Sequence, residues 1–151
     1  MKTQLKISKT SKMPCGSWSL QAISTCAGSV IPFTKGKLVD ACSKCYATQG
    51  FYRMKTVKDV RINNKEDWQR PDFEARMIAY LDTERYFRWF DSGDIYKVAL
   101  AQKIYNICKK TPWVKHWIPT RSYKFKKYLP IFNKLKALPN VSVRYSSDSI
   151  K

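Results

Sequence analysis

Hydrophobic and polar positions change rhythm twice along the chain. Over the first eleven residues the alternation is weak, at Leu5 and Ile7, and predicts a polar arm or an edge strand. From residue 13 to 50 there is no clear period, and Cys, Gly, Ser and Thr dominate. A segment this long without periodicity, inside a compact domain, is functional or is held by something other than a core. After Gly50 the pattern becomes regular. Phe73, Met77 and Tyr80 share one face of a helix predicted over 67–80, with Pro71 at an early helical position. A short aromatic run predicts a strand over 85–90. Val98, Ala101, Tyr105 and Cys108 predict a helix over 95–109, and a second strand is predicted over 113–118. Phe125, Tyr128, Leu129, Phe132 and Leu135 form the stripe of a helix over 125–138, broken or restarted at Pro130. Leu138-Pro139-Asn140 turns into a last strand over 141–145.

Strand and helix thus alternate from about residue 67 onward, which predicts α/β architecture with parallel βαβ units and right-handed crossovers. In such folds ligands sit beyond the carboxyl ends of the strands. Polar groups gather there: Asp91-Ser92-Gly93-Asp94, Thr120-Arg121-Ser122 and Ser146-Ser147-Asp148. The plain alternative is that turns are polar. Three strands are evident, four with the N-terminal segment, whereas a closed eight-stranded barrel needs about 200 residues or more. The sheet is therefore expected to be open. Its edge is then covered by the N-terminal arm, by a partner or by a second copy, or else the chain is a shortened form of a longer protein. One domain is expected over 1–151, made of a Cys-rich metal-binding segment (1–50) and βα repeats (51–151).

A hydrophobic content of 44% and an aromatic content of 14% predict a folded chain. No apolar run is long enough for a bilayer, and no apolar N-terminal stretch suggests secretion, so no membrane and a cytoplasmic location are expected. The net charge of +18 is unevenly placed. Eight of the eleven acidic residues lie between Glu66 and Asp94, and none lies between Asp94 and Asp148. That acid-free span includes Lys109, Lys110, Lys115, Lys124, Lys126 and Lys127. A field of one sign attracts polyanions, so nucleic acid or an acidic partner protein is expected there. The plain alternative is a solvated, lysine-rich surface.

Cys15, Cys26, Cys42 and Cys45 have the spacing Cys-x10-Cys-x15-Cys-x2-Cys. Clustered cysteines in a reducing compartment favour a metal over disulfides. Zinc and iron–sulfur centres both accept four thiolates. Zinc ribbons usually carry two CxxC knuckles, and the single knuckle here favours a [4Fe–4S] cluster, with zinc as the alternative. Lys12, Lys35, Lys37 and Lys44 would favour thiolates and a negative cluster. Cys108 lies on an apolar helical face and is expected in the core. His116 is the only histidine, and a core or site-lining role suits it better than that of a lone catalytic base. There is no Walker loop, no GxGxxG and no zinc-deaminase layout.

Several segments together resemble a family of small phage-encoded, cysteine-rich gene products related to radical S-adenosylmethionine (SAM) proteins. They are Met13-Pro14-Cys15 with Trp18-Ser19-Leu20, Cys26-Ala27-Gly28-Ser29, Cys42-Ser43-Lys44-Cys45-Tyr46-Ala47, Arg88 to Asp94, Trp117 to Ser122 and Leu138 to Arg144. The resemblance implies an incomplete radical-SAM-like βα barrel in the host cytoplasm. By the same likeness, Ser92, Gly93 and Asp94 stand where such enzymes hold the SAM amino group. Arg121 and Ser122 would meet a carboxylate, and Ser146 or Asp148 a ribose. Radical SAM enzymes hold their cluster with three cysteines of a CxxxCxxC motif and leave one iron open for SAM. This chain departs from that motif, and four thiolates would close the cluster. The expectation is therefore an iron–sulfur protein with a basic, polyanion-binding surface, with a radical-SAM-like or redox enzyme as the alternative and a zinc-stapled nucleic-acid-binding module as a third.

Overall fold

The computed structural model describes residues 5–9, 15–20, 55–90 and 93–145. Five strands form one sheet in sequential order: β1 (Ser8–Lys9), β2 (Gly16–Trp18), β3 (Tyr86–Trp89), β4 (Lys115–Thr120) and β5 (Val141–Tyr145). β1 pairs antiparallel to β2, and the β2–β3, β3–β4 and β4–β5 pairs are all parallel. The helices are α1 (Lys55–Asp67), α2 (Phe73–Leu81), α3 (Val98–Lys110) and α4 (Leu129–Ala137), with short 3-10 turns at Ser122–Lys124 and Lys126–Tyr128. Among the described residues the sheet does not close into a barrel. The N-terminal segment borders one edge, and β5 forms the other.

Crossovers of one hand between consecutive neighbours put the helices on one side of the sheet. The burial pattern agrees. Phe87 and Trp89 of β3, and His116, Ile118 and Thr120 of β4, are buried; Tyr86, Arg88, Lys115 and Trp117 are not. Trp18, Phe87 and Trp89 meet Phe73, Met77 and Leu81 of α2 and Leu100, Ile104 and Ile107 of α3 in one core. Trp18 packs edge-on against Trp89 and Phe90 at 5.8 Å and tilts against Phe73 at 5.5 Å. Cys108 lies in this core, where burial pushes its thiol far up.

Three elements differ from the pattern-based expectation. The helix expected over 67–80 begins only at Phe73, because α1 ends at Asp67 and 68–72 form a turn around Pro71. β2 falls inside the segment expected to be irregular; three residues are too few to display an alternation. α1 was not expected at all. Its inward positions are Arg61, Asn64 and Asp67, all buried. They keep helical spacing but are polar, so no apolar stripe advertises them. Asn64 Nδ2 donates to Ser19 O at 2.9 Å and to Lys6 O at 3.3 Å, tying α1 to the exit of β2. Asp67 accepts from Arg76 at 3.0 Å, and Arg76 also pairs with Asp72 at 3.1 Å, which links α1 to α2. Lys103 Nζ donates to the Trp68 and Arg70 carbonyls at the end of α1, at 2.8 and 3.1 Å.

Asn64→Ala removes the donor of two carbonyls, one of them in a fully buried bond. The expected loss is about 1–3 kcal/mol of unfolding free energy, read as a lower urea midpoint at unchanged slope.

Candidate functional site at the carboxyl ends of the strands

Parallel order sends the carboxyl ends of β2, β3, β4 and β5 to one edge of the sheet. β3 ends at Trp89. Phe90 has φ 63°, a left-handed conformation uncommon for a side chain of this size, and its N–H donates to Trp18 O at 2.7 Å. Gly93 follows at φ 79°, where the absence of Cβ makes the conformation easy. A side chain held in the left-handed region, as at Phe90, is a strained conformation of the kind that clusters at functional sites.

Asp94 is the hub of this edge. It is 5% exposed. Its Oδ1 accepts from Ile95 N at 2.7 Å and from the Thr120 hydroxyl at 2.6 Å, and its Oδ2 accepts from Arg121 N at 2.7 Å. Thr120 Oγ1 accepts in turn from Ser122 N at 3.0 Å, and the Ser122 hydroxyl donates to Ile95 O. Burial pushes the Asp94 carboxyl up to about 6, against the three donors and the Arg121 charge, which pull it down. Burial and the Asp94 charge together push Tyr128 up to about 12.

The sequence-derived site residues therefore divide. Gly93, Asp94, Arg121 and Ser122 come together. Within that group the hydroxyl of Ser122 and most of the acceptor capacity of Asp94 hold the edge itself in shape. Ser92, Ser146 and Asp148 lie outside the described residues, as do Cys26, Cys42 and Cys45. Thr120, which links Asp94 to Ser122, had no separate role in the sequence-based site. Its signal was its place in the polar Thr120-Arg121-Ser122 group after the predicted strand.

Cys15 immediately precedes Gly16, at the amino end of β2. It lies beside Tyr86, Arg88, Lys115 and Trp117, away from the edge that carries Asp94. Burial pushes its thiol up, although Arg88 pulls the other way. Among the described residues, no three His, Cys, Asp or Glu side chains converge as metal ligands.

The six lysines do not form one patch. Lys109 and Lys110 end α3, where cations complement the helix dipole, and Lys115 opens β4. Lys124, Lys126 and Lys127 follow the other end of β4. β4 has six residues, so roughly 20 Å of strand separates the groups. Lys127 also lies over the Tyr128 ring at 5.2 Å.

His116 is a core histidine. Trp89 Nε1 donates to its Nδ1 at 3.0 Å, which leaves the ring proton on Nε2, 2.9 Å from Thr111 Oγ1. The Thr111 hydroxyl passes its own hydrogen to Ile107 O at 2.8 Å. Burial holds His116 down to about 4.

The family described as Gene product 88 matches residues 1–151. The chain belongs to that family. The match supports the expected phage origin. No curated protein and no solved structure matches the chain. Among the described residues, no helix is long and apolar enough to cross a membrane.

His116 and Asp94 act on stability with opposite signs. His116 titrates below its ordinary 6.5 in the folded state, so its contribution is complete above 6.5 and is lost as pH falls toward 4. Asp94 titrates above its ordinary 3.8, so its contribution is complete below 3.8 and is lost as pH rises through 6. Between pH 4 and 6 the two slopes oppose each other. In Asp94→Asn the histidine acts alone, and urea midpoints should climb more steeply from pH 4 to 6 than in the wild type. An identical pH slope in both proteins would remove Asp94 as a buried titrating group.

Proposed function

We propose that the chain is an iron–sulfur enzyme of radical-SAM type, with a [4Fe–4S] cluster held by Cys26, Cys42 and Cys45. The observation that carries this reading is the position of Cys15. It stands before β2, whereas the other three cysteines belong to the chain that continues from the opposite end of that strand. Roughly 10 Å of extended chain separates Cys15 from that exit. Removing Cys15 from the ligand set leaves three thiolates and one open iron.

The sequential parallel order supports the same reading, because it is the strand order of a partial βα barrel, and barrel ligands bind at the carboxyl edge. When bound, such a cluster supplies one electron to SAM at its open iron. The residues of this chain do the positioning. Asp94 clamps the exits of β3 and β4 together. The clamp holds Gly93 and Arg121 on one edge, where the Gly93 backbone can approach a ligand closely and Arg121 can meet a carboxylate.

Purification without oxygen should give a coloured protein with about four irons per chain. Cys26→Ala, Cys42→Ala and Cys45→Ala should each lose the iron, Cys15→Ala should keep it, and SAM should perturb the visible spectrum. A colourless protein with one zinc per chain sinks the proposal, and so does iron loss in Cys15→Ala.

A further inference from the structure

We propose that the face of the sheet opposite α2, α3 and α4 binds single-stranded nucleic acid, with Trp117 as a stacking platform and Arg88, Lys115 and Arg144 as its cationic contacts. The strand register defines the face. Ser17 stands opposite Arg88, Arg88 opposite Trp117, and Trp117 opposite Ser142. These positions alternate with the core residues Phe87, Trp89, His116 and Ile118, so their side chains leave the sheet on the other side. The row contains no aliphatic residue. Parallel sheets are normally covered on both faces by apolar contacts. Here the face is made of Arg, Trp and Ser: Ser17 at its β2 end is buried, Arg88 and Trp117 are half-buried, and Tyr86, Lys115, Ser142 and Arg144 are exposed.

The Arg88 guanidinium lies 4.7 Å from the centre of the Trp117 ring, pairing a cation with an aromatic plane. The two line a depression of about 240 Å³ together with Cys15, Tyr86, Lys115 and Ser142. Tyr86 is 55% exposed and offers a second ring. Lys115 opens β4 at one end of the face. Arg144 stands opposite Pro119 toward the other end, and both cations are exposed. The charged strand residues of β3, β4 and β5 are all cationic, which favours an anion. Rings beside cations favour an anion that carries planar groups. A strand with unstacked bases has both, whereas a duplex offers its phosphates but keeps its base faces inside. The two lysine groups at the ends of β4 add a general attraction without a ring to read a base. The inference does not depend on the iron–sulfur reading, because the face is complete without a metal.

Anisotropy of short labelled dT and rU oligomers, titrated with the full-length protein over a range of salt, tests it. Single strands should bind more tightly than a duplex of equal length, and the two oligomers tell which sugar is preferred. Trp117→Leu should weaken binding about tenfold, while Trp117→Phe, which keeps a ring, should retain most of it. Arg144→Gln, at an exposed position, should weaken binding and lower the salt slope by about one. Should Trp117→Leu fail to fold by circular dichroism, Arg144→Gln carries the test alone. The proposal is overturned if the duplex binds as tightly as the single strand, if folded Trp117→Leu binds like wild type, if Arg144→Gln changes neither affinity nor salt slope, or if neither oligomer binds at low salt. Equal displacement by an acidic polypeptide also overturns it and assigns the face to an acidic protein.

Discussion

One constraint organises this molecule: each parallel strand pairs with the next in sequence. Crossovers of one hand then place the helices on one face and the strand exits on one edge. The two faces of the sheet diverge in consequence. Phe87, Trp89, Ile118 and Trp18 build the core against the helices, while Arg88, Trp117 and Ser142 line the opposite face. The same constraint separates the two ends of each strand, so that Cys15 and Asp94 belong to different regions although both adjoin the sheet.

The buried polar groups do the work that apolar packing cannot do here. Hydrophobic contact has no direction, so it cannot define how a strand leaves the sheet. Hydrogen bonds to Asp94 define it at the exits of β3 and β4, and the bonds of Asn64 define it at the exit of β2. Asp94 and Asn64 meet their donors and acceptors within the fold, as burial requires. The cost appears as a perturbed titration. The Asp94 carboxyl is pushed up although three donors favour its charge, which means that desolvation outweighs them. His116 avoids that conflict by remaining neutral between Trp89 and Thr111.

What the sequence disclosed followed from chemistry of a recognisable period. α3 and α4 were legible because their apolar residues recur at about 3.6 positions, and β3 because it is a short aromatic run. The gathering of Gly93, Asp94, Arg121 and Ser122 was legible once the strands were taken as parallel. α1 was hidden because its inward stripe, Arg61, Asn64 and Asp67, keeps the helical period but not the hydrophobicity by which the period is usually detected. β2 was hidden by its length. The Arg88–Trp117 pairing on the opposite face went unnoticed for a related reason. Arg88 and Trp117 are far apart in sequence, and only the strand register makes them neighbours.

Charge is the property most easily over-read in such a chain. A net charge of +18 suggests one continuous basic surface, yet the fold divides its lysines between opposite ends of β4. Long-range attraction survives that division, because the field sums over the whole molecule to about the Debye length. Specific contact does not survive it, since a ligand can touch only what is adjacent. Adjacency here belongs to Arg88 with Trp117, at 4.7 Å. On the proposed binding, the abundant lysines would govern how fast and at what salt a polyanion arrives, and the few residues around Arg88 and Trp117 would govern which polyanion stays.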